Sequence, residues 1–108
     1  MAELARLCET MALGGVDVIK DDHGLADQSY APFAERVAAC QRAVERARRV
    51  TGRSTVYAPS LVGGPRALAR QCTIVRDEGV GMVLLAPSLL GMPVFHELVH
   101  ETLEVPVL

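Results

Sequence analysis

Four consecutive side chains, Lys20-Asp21-Asp22-His23, form the densest reactive cluster in the sequence. They follow Val16 to Lys20, a short run rich in β-branched residues that is entered from Gly14-Gly15 and reads as a strand. In parallel α/β proteins the C-terminal ends of strands are where sites are built. Period-two alternation sends Lys20 and Asp22 to one side and Asp21 to the other, so the first pair could meet a cation or a metal, with His23 swinging in from the loop. The bland alternative is a local salt bridge, the usual fate of a lysine beside two carboxylates. The sharper chemistry is a neutral Lys20 amine that adds CO2 and becomes a carbamate. That anionic oxygen donor, with Asp22, would hold Mg2+. Such an ion polarises a carbonyl and a hydroxyl on neighbouring carbons and stabilises the enediolate left when the carbon-bound proton is removed.

A second constellation is His96-Glu97-Leu98-Val99-His100, which spells HExxH. On a helix this spacing places two histidines one turn apart to bind zinc, with the Glu activating water. Here Val94, Phe95, Leu98, Val99 and Leu103 form the inward arc, the histidines fall at its border, and Glu97, Glu101 and Glu104 take the wet side. No third ligand is evident, so two boundary histidines on a surface helix are the expected reading and a zinc hydrolase the minor one. Gly63-Gly64-Pro65 resembles a phosphate loop superficially, but neither GxxxxGK[ST] nor GxGxxG is present, and Pro65 lacks a donor. It reads as a turn.

The elements that must position these groups form a βα series. Leu4, Leu7, Cys8 and Met11 predict an opening helix stopped at Gly14-Gly15. Pro32 suits a first helical turn, and Phe33, Val37, Cys40, Val44 and Ala47 lay an apolar stripe along a helix ending near Gly52, with Arg42, Arg46, Arg48 and Arg49 on its solvated face. Ser54 to Ala58 reads as a second strand, followed by a helix burying Leu68, Cys72 and Val75 and closed by Gly79. Gly81 to Ala86 lacks alternation and predicts a strand buried on both sides. Pro93 starts another helix, and Val105 to Leu108 begins a fourth strand. The strand starts lie roughly 25 to 40 residues apart, enough for one crossover helix between parallel strands each time. The fold class is therefore α/β, as an open doubly wound sheet or as part of a closed (β/α)8 barrel. A helix first and a strand last suit an excerpt from a longer series, about three and a half βα units where a barrel needs about 250 residues.

The 108 residues are 50% hydrophobic and 22% charged, with a formal net charge of −2, which fits one ordinary globular domain. That balance argues against nucleic acid or an anionic membrane as partner. Glu3, Arg6 and Glu9 interrupt the apolar core that a secretory signal needs, and glycines and prolines break the longest uncharged run, Gly79 to Phe95. Cys8, Cys40 and Cys72 form no CxxC pair, so a disulfide framework or zinc cage is not indicated and a reducing cytoplasm is expected.

The run from Gly14 to Asp22 resembles the GG-x-D-x-x-K-D-D segment of the ribulose-bisphosphate carboxylase (RuBisCO) large chain and of the RuBisCO-like proteins. The resemblance continues through Tyr57-Ala58-Pro59, Gly63-Gly64-Pro65 and Leu85-Ala86-Pro87-Ser88-Leu89-Leu90-Gly91-Met92, the last closer to RuBisCO-like (form IV-like) proteins than to true carboxylases. It implies that residues 1–108 are part of the C-terminal α/β-barrel domain, a partial TIM barrel holding barrel strands two to five. It further implies that Lys20 is the carbamylated lysine, that Asp22 is a metal-binding acid, and that Asp21 is an Asp that does not bind the metal. His23 stands where the carboxylases carry a metal-binding Glu. Imidazole in place of a carboxylate removes one negative charge and one hard oxygen that Mg2+ favours, so the resemblance implies altered metal handling rather than CO2 fixation.

The activity implied for the full-length form is that of an isomerase, enolase or decarboxylase acting on a phosphorylated keto sugar, as a homodimer or higher homo-oligomer. The family's strand-one lysine, its later histidines and its mobile-loop lysine lie beyond these residues, so the chain alone is expected to be inactive. The alternative from another class is a non-catalytic half-barrel that associates through its strand edges.

Overall fold

A computed structural model describes residues 2–21 and 32–108. Helix α1, Ala2–Leu13, stops where the glycine pair predicts, with the Gly14 N–H donating to the Thr10 carbonyl and the Gly15 N–H to that of Ala12. Its buried face is narrower than expected. Cys8 and Ala12 are buried against helix α2, Phe33–Thr51, whereas Leu7 stays 53% exposed, because one step along a helix rotates a side chain about 100° away from a single contact stripe. In α2 the predicted stripe of Phe33, Val37, Cys40, Val44 and Ala47 is buried throughout. Arg42, Arg46, Arg48 and Arg49 lie exposed, as their polarity requires.

Strand β1, Val18–Lys20, runs parallel to β2, Val56–Ala58, with Val18 opposite Val56, Ile19 opposite Tyr57 and Lys20 opposite Ala58. Both are shorter than the expected strands from Val16 and Ser54. The expected third and fourth strands reduce to isolated parallel bridges, Ser60 with Leu84 and Val83 with Val107. Proline explains the reduction. The Leu84 N–H donates to the Pro59 carbonyl and the Leu61 N–H to that of Leu84, but the preceding rung would need an N–H on Pro59. Likewise Val83 donates to Pro106 and Leu108 to Val83, and Pro106 cannot extend that ladder backward. The segment is nonetheless interior on both faces, with Val83, Leu84 and Leu85 all buried.

Helix α3, Pro65–Asp77, buries Leu68, Cys72 and Val75 as its periodicity predicts, and Gln71 besides. A short helix, α4 (Pro87–Leu90), precedes Gly91, and the helix expected from Pro93 follows as α5 (Met92–Glu97). A π-helical turn, Leu98–Thr102, follows and is closed by the Leu103 N–H on the Leu98 carbonyl at 2.8 Å. One core joins Ile19 and Tyr57 of the sheet, the inward faces of α1, α2 and α3, and Val83, Leu85 and Leu98. Among the described residues no helix is long and apolar enough to cross a membrane. The architecture is α/β with parallel strands.

Candidate functional site

The sheet sets the end of β1 by alternation. Ile19 and Asp21 point into the protein, and Val18 and Lys20 point outward on the exposed face. Of the side chains expected to hold a metal, Lys20 is exposed at the strand's last position, while Asp22 and His23 lie outside the described residues.

Asp21, the acid between them, is the most firmly held group at this end. It is buried, and its carboxylate accepts from the Arg36 Nε at 3.1 Å, the Tyr57 hydroxyl at 2.8 Å and the Ser60 backbone N–H at 3.1 Å. Its own N–H continues the sheet by donating to the Ala58 carbonyl at 3.1 Å. A buried carboxylate is tolerable only with such partners, and three donors, one of them a buried guanidinium, supply them. With both oxygens engaged by the protein, this carboxylate works as an anchor for the backbone on which Lys20 stands.

Burial first, and then the negative charge of Asp21, push the Tyr57 hydroxyl above its ordinary value near 10. It therefore stays a hydrogen-bond donor. Cys8 is pushed up by the hydrogen bond it shares with Cys40 and then by burial, and the same bond draws Cys40 down. Burial pushes the Cys72 thiol up. All three thiols are free and buried, which suits packing.

Sequence reading missed the three groups that hold Asp21. Arg36 had a signal, since it falls three residues after Phe33 and four before Cys40, inside the apolar stripe of α2, and a charged residue at such a position needs a buried partner. Tyr57 and Ser60 had none beyond their place at the end of β2, because the meeting with Asp21 is made by strand pairing.

Loop 59–64 is fixed from its other side. The Gln71 side chain accepts from the Val62 N–H at 3.1 Å and donates to the Val62 carbonyl at 3.0 Å, clamping the loop to α3. At the HExxH segment, His96, Glu97 and His100 are exposed and Leu98 is buried. The two imidazole ring centres lie 4.4 Å apart. Among the described residues no group of three or more His, Cys, Asp or Glu is placed to hold a metal ion, so none of them brings this pair the third ligand that zinc hydrolysis needs.

Comparison with known proteins matches residues 1–91 to the family of the ribulose bisphosphate carboxylase large chain, catalytic domain. The 5-methylthioribulose-1-phosphate isomerase of Rhodospirillum rubrum is 50% identical over 98 residues, which cover 91% of this chain and 26% of the isomerase. The 2,3-diketo-5-methylthiopentyl-1-phosphate enolase of Microcystis aeruginosa is 34% identical over 104 residues, covering 95% of this chain and 27% of the enolase. The crystal structure of a RuBisCO-like protein from Rhodopseudomonas palustris superposes with a TM-score of 0.94 at 49% identity, covering 98% of this chain and 30% of that one. The chain thus spans about a quarter of the length of the curated relatives it matches. It belongs to the ribulose bisphosphate carboxylase large-chain family and stands among its RuBisCO-like proteins.

Proposed function

We propose that this sequence forms strands two to five of a (β/α)8 barrel, and that the whole barrel protein moves a proton on a phosphorylated keto sugar, as an isomerase first and an enolase second. Greater identity to the isomerase than to the enolase supports that order. The observation that carries the reading is the end of β1, where an exposed Lys20 stands on a strand pinned by the buried Asp21. An accessible amine can meet CO2, and a fixed strand end holds the resulting carbamate at one place.

In the proposal Lys20 as a carbamate, Asp22 and His23 hold Mg2+, and Asp21 orients the strand without touching the ion. When bound, the ion supplies charge stabilisation at neighbouring substrate oxygens. One imidazole among hard donors makes that grip weaker than an all-oxygen set. In the proposal the activity belongs to the whole barrel protein; this chain spans 26% of the isomerase named above.

The test is Mg2+ titration of the full barrel protein with and without bicarbonate, beside solvent-deuterium exchange into 5-methylthioribulose 1-phosphate. Bicarbonate-dependent binding is expected, with Lys20→Ala weakening it and slowing exchange by on the order of a hundredfold. Equal Mg2+ binding by wild type and Lys20→Ala rejects the carbamate.

A second reading is favoured by one feature. Among the described residues β1 pairs on one edge only, with Val16 and Val18 each 42% exposed beside it. An open apolar edge is a template for association, so in this reading the isolated chain is a non-catalytic half-barrel that pairs with another copy.

A further inference from the structure

We propose that His96 and His100 form a two-imidazole site for an exchangeable late first-row divalent cation, Cu2+ ahead of Ni2+ and Zn2+. Both rings are exposed, and their position is set by the helix beneath them. Leu98 is buried, and Val94, Phe95 and Val99 are partly buried against the core, which leaves the two histidines on the outer side. His96 lies in the last turn of α5 and His100 in the π-helical turn, and their ring centres stand 4.4 Å apart with planes tilted by 34°.

With a metal–nitrogen bond of about 2.0–2.1 Å, an imidazole centre lies roughly 3.2 Å from the ion, so two rings can share one ion when their centres stand up to roughly 6 Å apart. The observed 4.4 Å lies inside that reach. For imidazole ligands the general affinity order places Cu2+ highest. Two protein ligands leave the remaining positions to water, so the ion exchanges freely, unlike a structural metal with a closed shell. Glu97 has no part in the site. The motif that suggests a zinc hydrolase is therefore read as a chelating pair. This inference involves residues far along the chain from Lys20 and does not depend on the proposed enzymatic role.

The test titrates the protein with CuCl2, NiCl2 and ZnCl2 near pH 7.5, follows heat and the Cu2+ paramagnetic resonance spectrum, and compares His96→Ala, His100→Ala and Glu97→Gln, all in a His23→Ala background that removes the imidazole assigned to the Mg2+ site. Both chelating positions are exposed, so far-UV circular dichroism of the two variants is expected to match wild type. One Cu2+ should bind with a two-nitrogen signature. Either His96→Ala or His100→Ala should weaken it at least about tenfold, because the second ligand is then no longer held beside the first. Glu97→Gln should leave it unchanged. Unchanged Cu2+ affinity in His96→Ala or His100→Ala, loss in Glu97→Gln, or tightest binding of Zn2+ would each overturn the proposal.

Discussion

The Asp21 carboxylate shows most directly how a residue's type and its surroundings decide its role. Its ion pair with Arg36 is almost wholly shielded, the two side chains being 5% and 0% exposed. Removing one member of a buried pair leaves the other's charge without compensation, a cost of roughly 3–5 kcal/mol. Arg36→Leu is therefore expected to lower the urea midpoint severely. Tyr57→Phe, which deletes one of three donors and keeps the packing, should cost about 1–2 kcal/mol. By contrast Glu9→Ala, which breaks the largely exposed pair with Arg46, should be nearly silent, and equal losses in Glu9→Ala and Arg36→Leu would refute the ranking. Tyr57 also sets a pH limit. Its proton is held more tightly in the folded protein than in the unfolded chain, so below about pH 10 both states keep it, and above that unfolding releases it and stability falls as pH rises. The raised Cys72 thiol acts in the same direction from about pH 9. Unfolding midpoints across this range should decline with pH, and Tyr57→Phe should flatten the portion above 10. What the sequence made legible here was the strand that ends at Lys20; what it concealed was the cage around Asp21, because Arg36 and Tyr57 lie far from it along the chain and only strand and helix packing unite them.

At the scale of elements, helices were legible and strands were legible only as segments. Apolar spacing marks one face of α2 and α3 directly, since a helix makes its own hydrogen bonds and its pattern needs no partner. A ladder depends on two chains at once. Pro59 and Pro106 were visible in the sequence, yet their power to cut the ladders to single bridges follows only when the register places each opposite a carbonyl. The loop between β2 and α3 offers a sharp test of how far backbone geometry fixes this end of the sheet. Gly63 has φ +145°, and a Cβ there would meet the Ala67 Cβ at 3.0 Å, so Gly63→Ala combines a conformation that L residues rarely adopt with a tight contact. Its neighbour Gly64 has φ −75° and open space around an added Cβ. Gly63→Ala should destabilise by about 1–3 kcal/mol while Gly64→Ala stays near neutral. Thermal melts of the two variants decide it, and equal effects would mean that the loop relaxes freely.

For the molecule as a whole, the question is what a short parallel sheet does with its open side. The radius of gyration, 13.5 Å, is close to the roughly 13 Å expected of a compact domain of this length, so the core already draws the helices around the strands. Compactness does not remove the edge. Among the described residues β1 pairs only with β2, and the exposed face beside its free edge carries Val16 and Val18. Proteins protect such edges with charge, above all lysine, and here Lys20 guards the C-terminal end while Val18, two residues earlier on the same face, does not. Backbone groups left open in this way gain hydrogen bonds by pairing with a second copy, and Val18 adds apolar burial to that gain. The isolated chain is therefore expected to associate with rising concentration in sedimentation velocity. Val18→Lys, which extends the charged guard without altering the inward-facing Ile19, should shift the monomer fraction upward by about tenfold in dissociation constant, the change that follows from losing roughly 1.4 kcal/mol of association energy. A monodisperse monomer at all concentrations would remove the half-barrel reading. Association unaffected by Val18→Lys would place the contact elsewhere, and α1 is the first alternative surface, because Leu7 and Leu13 stand exposed there.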